Sequence, residues 1–205
     1  MLRDLPLRCR CGHVRGVATE LSPSAGFRLV CYCKDCQAFA HFLQRTDVLD
    51  EAGGTDIFQM PPARVTFTAG VDVLRCLRLS EKGVFRWYAE CCRTPIANAV
   101  SPRVPVIGVF PCFMTEDFMD DAAGSRSQDE ALGPPLFRIN EGSAIGPLPP
   151  MAPPPASFGV LAYCATKAVR WRLRGLGRPS PFFVDRTNAP RSVPRVLTQS
   201  ERAAL

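Results

Sequence analysis

Cys31-Tyr32-Cys33-Lys34-Asp35-Cys36 is the segment of this sequence best suited to chemistry. Thiolates are both nucleophiles and soft metal ligands. A Cys-x-Cys-x-x-Cys run brings three of them into one short bend, because Cys33 and Cys36 straddle a knuckle while Cys31 points back from the preceding strand on the same face. Three sulfurs cap a tetrahedral zinc ion. No fourth ligand lies nearby in the sequence. The last vertex is therefore either open to water or substrate, as in catalytic zinc sites, or closed by a remote cysteine, with Cys76 and Cys112 as candidates. Those two and Cys164 otherwise read as small buried hydrophobes.

A second constellation joins Cys9-Arg10-Cys11-Gly12 to Cys91-Cys92. Two pairs so far apart in the chain can clamp a second zinc and staple the first strand of a β domain to the last. Vicinal cysteines on an extended backbone project to opposite faces, so an extended Cys91-Cys92 would offer only Cys92. His13 and His41 are too few for a site built on imidazole and read as partly buried polar residues, His41 being the better candidate ligand. The chain has 205 residues and ten cysteines, with no signal-like N-terminus and no apolar run of about 18 residues. It reads as a soluble cytoplasmic protein, whose closely spaced cysteines bind metal rather than form disulfides.

The elements that must position these sulfurs are short strands. Turn signals such as Gly53-Gly54, Pro61-Pro62 and Lys82-Gly83 separate seven β-branched or aromatic runs: 14–18, 27–32, 56–59, 65–68, 73–79, 84–88 and 106–110. The sequence predicts an all-β domain over 1–112 in a chain that is mainly β. An acidic, then Pro-rich connector follows over 113–156, loosely helical from Cys112 to about Ala131. Beyond it, 133–156 is either an extended strap burying Leu136, Phe137 and Ile139 or a disordered linker. A basic C-terminal extension over 157–205 contains a helix from Phe158 to Gly175, with Leu161, Cys164, Ala165, Ala168 and Trp171 near one side.

The formal charge of +6 is concentrated at the end of the chain. Residues 165–205 hold nine Lys or Arg against two acids, +7, which leaves −1 for residues 1–164. A near-neutral body argues against a nucleic-acid surface on the main domain.

Cys-x-Cys-Gly at 9–12, Cys-x-Cys-x-x-Cys at 31–36, Gly54, Asp56-Ile57-Phe58, and a late Cys followed by Thr-Pro at 92–95 together define an order. That order resembles the glutathione-dependent formaldehyde-activating enzyme family, which also contains centromere protein V. The likeness covers about residues 7–112. It implies a β-tent of small antiparallel sheets, a structural zinc at Cys9, Cys11 and the late cysteines, and a second zinc at Cys31, Cys33 and Cys36 beside a glutathione site. The implied reaction is reversible addition of the glutathione thiol to formaldehyde, a carbon–sulfur lyase activity. The sequence departs from the family's late Phe-Cys-x-x-Cys-Gly-Thr motif: Ala89 stands at its first cysteine and Arg93 at its glycine. The missing ligand falls to Cys91 or the Glu90 carboxylate.

In the residues' own chemistry, a zinc-held fourth thiol is a nucleophile at neutral pH, with Lys34 and Arg45 the cations available to an oxyanion or to the tripeptide's carboxylates. The partners are a small thiol or aldehyde, with a homodimer allowed. One alternative is a non-catalytic zinc module that binds nucleic acid or an anionic membrane through Lys167, Arg170, Arg174 and Arg178. The other is a Cys33/Cys36 redox dithiol, ranked last because the pattern lacks a strand-to-helix setting.

Overall fold

The computed structural model describes residues 2–114 and 128–205. The predicted loose helix from Cys112 to Ala131 falls mostly on residues 115–127, outside the described residues; 128–132 are helical. The chain is mainly β, with eleven strands among the described residues. A three-stranded antiparallel sheet has the order β1 (Arg3–Arg8), β2 (Arg15–Leu21), β5 (Val65–Ala69).

The larger sheet has eight strands and begins with β10 (Phe137–Ile139), β3 (Phe27–Cys31), β4 (Thr55–Met60) and β9 (Ile107–Val109). It continues through β8 (Pro95–Ala99), β7 (Phe85–Ala89), β6 (Leu74–Arg78) and β11 (Arg195–Val196). Its interior pairs are antiparallel, and its two edge strands run parallel to their neighbours. Each of the seven expected runs contributes a strand. β1, β8, β10 and β11 are additional, and β1 and β8 each contain a proline. Pro6 is tolerated because β1 is an edge strand, and Pro95 because it opens β8.

Alternation assigns the two faces of the large sheet. Leu74, Cys76, Phe58 and Trp87 meet Leu5, Leu7, Ala18 and Leu21 of the small sheet in the main core. Leu77 and Leu79 instead join Phe39 and Leu43 of helix α1 (Lys34–Leu43). This helix corrects the expectation of an all-β first half. Cys36, Phe39, Ala40 and Leu43, at i, i+3, i+4 and i+7, form its buried stripe.

The Pro-rich strap is extended and ordered. Phe137 is buried, Leu136 N donates to Arg28 O at 2.9 Å, and Tyr32 N donates to Ile139 O at 3.0 Å. Leu136, expected to bury, is exposed. Further along, Phe182 and Phe183 enter the main core against Trp87, with ring centroids 5.2 and 5.9 Å away. The chain's end returns to α1, where Arg202 of the last helix (Gln199–Ala203) pairs with Asp35 at 2.6 Å. No helix among the described residues is long and apolar enough to cross a membrane.

Candidate metal centres

The sheet brings together both predicted cysteine groups, and all ten cysteines are free thiols. The sulfurs of Cys9, Cys11, Cys91 and Cys92 all lie within 4.8 Å of one another. Sulfur–sulfur distances are 3.6 Å for Cys9–Cys11, 3.3 Å for Cys11–Cys91, 3.9 Å for Cys9–Cys91 and 3.8 Å for Cys91–Cys92. Tetrahedral zinc with a Zn–S distance of about 2.3 Å sets its sulfurs about 3.8 Å apart, so the donor set fits that ion.

Two tight bends make this possible. Gly12, at φ +75°, donates its N–H to Cys9 O at 2.7 Å and turns the first pair. Cys91-Cys92 lies in a turn rather than a strand, which removes the opposite-face problem. Arg93, at φ +57°, takes the left-handed conformation that glycine occupies freely. Cys91 therefore joins Cys9, Cys11 and Cys92, while Ala89 is buried. Glu90 is engaged elsewhere, paired with Arg75 at 2.5 Å.

Buried Thr94 supports this group, with its hydroxyl 3.1 Å from Cys92 Sγ and accepting from Arg10 N at 3.0 Å. Burial alone would raise the Cys92 thiol, but hydrogen bonds from Thr94 help bring it down to about 6. Arg45 belongs here as well. It is buried, forks onto Asp47 with two 2.7 Å bonds, and reaches Thr94 Oγ1 at 3.4 Å. Its guanidinium is thus already committed, contrary to its expected role as a free anion anchor.

The second group comprises Cys31, Cys33 and Cys36, whose sulfurs also lie within 4.8 Å of one another. Cys31 ends β3, Cys33 caps α1, and Cys36 lies in its first turn. The run therefore has the strand-to-helix setting that the sequence reading denied it. Among the described residues the group has three members. Cys76 packs in the main core and Cys112 Sγ lies against Pro95 O at 3.9 Å, so neither closes the site. His13 and His41 are both exposed rather than partly buried, and neither joins a group. Lys34 is exposed on the first residue of α1.

Four residues that the sequence reading did not single out surround this triplet. Arg86 of β7 is only 3% exposed, and its Nη1 lies 3.7 Å from Cys36 Sγ and 3.5 Å from Asn98 Oδ1. Its closest carboxylate, Asp35, is 4.0 Å away. Asn140, at the end of β10 and at φ +57°, donates its amide to Cys31 Sγ at 3.5 Å. Thr55 is the cross-strand partner of Cys31, and its buried hydroxyl has no hydrogen-bond partner among the described residues. Gln37 ties the start of α1 to the strap through Tyr32 O at 2.8 Å and Ser143 O at 2.9 Å.

Electrostatics concentrate negative charge on Cys33. Hydrogen bonds from the Cys31 and Cys36 thiols, the Cys36 N–H and nearby Arg86 hold Cys33 far below the ordinary thiol range, while Cys31 and Cys36 are raised. A buried guanidinium facing sulfur rather than a paired carboxylate suits a site that carries net negative charge.

Residues 1–190 match the family described as DUF6151, a family of unknown function. The chain belongs to that family. No curated protein matches it. DUF6151 membership thus spans the small sheet, both cysteine groups and the long helix (Phe158–Leu173) without assigning an activity to any of them.

Proposed function

We propose that this protein is a zinc-dependent carbon–sulfur lyase of the formaldehyde-activating type, built as a β-tent, which forms and cleaves a glutathione–aldehyde adduct. One observation carries the reading: the three sulfurs of Cys31, Cys33 and Cys36 converge with no fourth protein ligand among the described residues. In this reading Cys9, Cys11, Cys91 and Cys92 hold a structural zinc, and the triplet holds a second ion with one corner left for a guest. An ion in the triplet would lower the pKa of an incoming thiol, making it nucleophilic at neutral pH.

The chain's own groups account for the rest. Arg86 offsets part of the negative charge gathered on three thiolates, and Asn140 orients Cys31. The buried Thr55 hydroxyl, which has no hydrogen-bond partner among the described residues, lies across the strand pair from Cys31. In the forward direction a sulfur–carbon bond forms at the aldehyde carbon and the thiol proton ends on the aldehyde oxygen; the reverse step breaks that bond and returns the proton.

Exchange of formaldehyde with its glutathione adduct, followed by NMR, tests this directly. Line broadening and magnetisation transfer should rise with added protein. Spectra identical with and without it rule the lyase reading out.

A second reading, a Cys33/Cys36 dithiol that cycles to a disulfide, draws support from the helix-capping position of Cys33. It gives no role to the third converging sulfur. Under this reading, mild oxidation followed by mass measurement would find a Cys33–Cys36 disulfide as the dominant product.

A further inference from the structure

The one buried residue of the long helix (Phe158–Leu173) is Trp171, whose ring stacks on Phe27 at 6.1 Å, with Val160 and Cys164 packed partly buried beside it. At about 100° per residue, Phe158, Ala162, Ala165, Val169 and Leu173 form a stripe directed away from Trp171. Phe158 and Leu173 are 87% and 83% exposed, and Val169 and neighbouring Leu161 are also exposed. The expected docking of Leu161 and Ala165 against the body therefore does not occur.

Cations lie on both sides of the helix, between this stripe and the face of Trp171. Arg103, Arg172 and Arg178 line a cavity of about 370 Å³, and Lys167, Arg170 and Arg174 line another of about 430 Å³. The helix itself carries no acidic residue. Arg172 donates to Arg103 O, Arg178 to Asp185 O and Asn188 Oδ1, and Lys167 to Ser24 O, all neutral acceptors. None of the six cations forms an ion pair among the described residues.

We propose that this helix docks the protein on an anionic phospholipid bilayer, with the apolar stripe entering the headgroup–acyl boundary and the two basic cavities receiving lipid phosphates. Charge and apolarity together select this occupant. A second copy of the chain would set like charges against one another. A nucleic acid would satisfy the cations but leave Phe158 and Leu173 in water. An anionic bilayer accommodates both features, and the inference stands apart from the cysteine chemistry.

The test is co-sedimentation of the full chain with phosphatidylcholine vesicles, with and without phosphatidylglycerol. Binding is expected only with phosphatidylglycerol and should weaken as salt rises. Phe158→Glu with Leu173→Glu, and separately Arg170→Glu with Arg174→Glu, should each lower partitioning by about tenfold or more at unchanged far-UV circular dichroism. Failure to sediment with anionic vesicles, or undiminished binding by either folded variant, overturns the proposal. So does a dimer in sedimentation velocity that the apolar pair of substitutions dissociates, or arginine-dependent binding to RNA in place of vesicles.

Discussion

Cys33→Ser protein is expected to hold one zinc ion per chain where the unaltered protein holds two, and to exchange formaldehyde with glutathione no faster than buffer does. The substitution is selective for a structural reason. Cys33 caps α1, and its sulfur accepts the Cys36 N–H at 3.4 Å. Serine is among the best residues for that position, so the helix keeps its cap while the triplet loses its most acidic sulfur. A fall in zinc therefore reports the loss of a ligand rather than the loss of α1. Cys9, Cys11, Cys91 and Cys92 form a separate group with their own contacts, so their ion should remain. Elemental analysis of purified protein and the exchange measurement together decide the matter. Two ions retained by the variant would remove the triplet as a metal site. Two ions falling to one, with no exchange activity in the unaltered protein, would keep the metal and discard the lyase.

Arg86→Met should weaken metal binding at the triplet by about 10- to 100-fold, the usual effect of removing a group that supports the ligands. Methionine preserves much of the apolar stem, while the guanidinium, whose Cζ lies 5.5 Å from the Phe39 ring centroid, and its charge beside Cys36 disappear. Arg86→Lys, which restores the charge without the planar fork, should recover part of the affinity. Competition against a chromophoric chelator provides the readout, alongside the urea midpoint of each variant. If Arg86 only packed the core, Met and Lys would both shift the midpoint and leave chelator competition unchanged.

Cysteine spacing made both cysteine groups legible from the sequence, because sulfurs two or three residues apart meet in almost any tight bend. Strand positions were legible as β-branched and aromatic runs between turn signals, as in Val84 to Tyr88. Helix α1 escaped because its apolar stripe, Cys36, Phe39, Ala40 and Leu43, spans barely two turns and opens with residues already assigned to a metal knuckle. Cys91 looked unsuitable on the assumption of an extended backbone, and the turn at 91–92 with Arg93 at positive φ reverses that geometry. Arg86, Asn140 and Thr55 could not be found from spacing at all. They reach Cys36 and Cys31 only through the packing of α1 on β7 and the pairing of β3 with β10 and β4. Arg45 shows the opposite error: its charge was visible, its commitment to Asp47 and Thr94 was not.

The central claim is that three protein sulfurs grip an ion and leave one corner for an external thiol. Cadmium-113 NMR of the cadmium-substituted protein reads sulfur count at each site separately. Two resonances are predicted, one at the position of a four-sulfur site and one at that of a three-sulfur site, the latter moving to the four-sulfur position when glutathione is added. Two four-sulfur resonances indifferent to glutathione, or a single resonance, would contradict it.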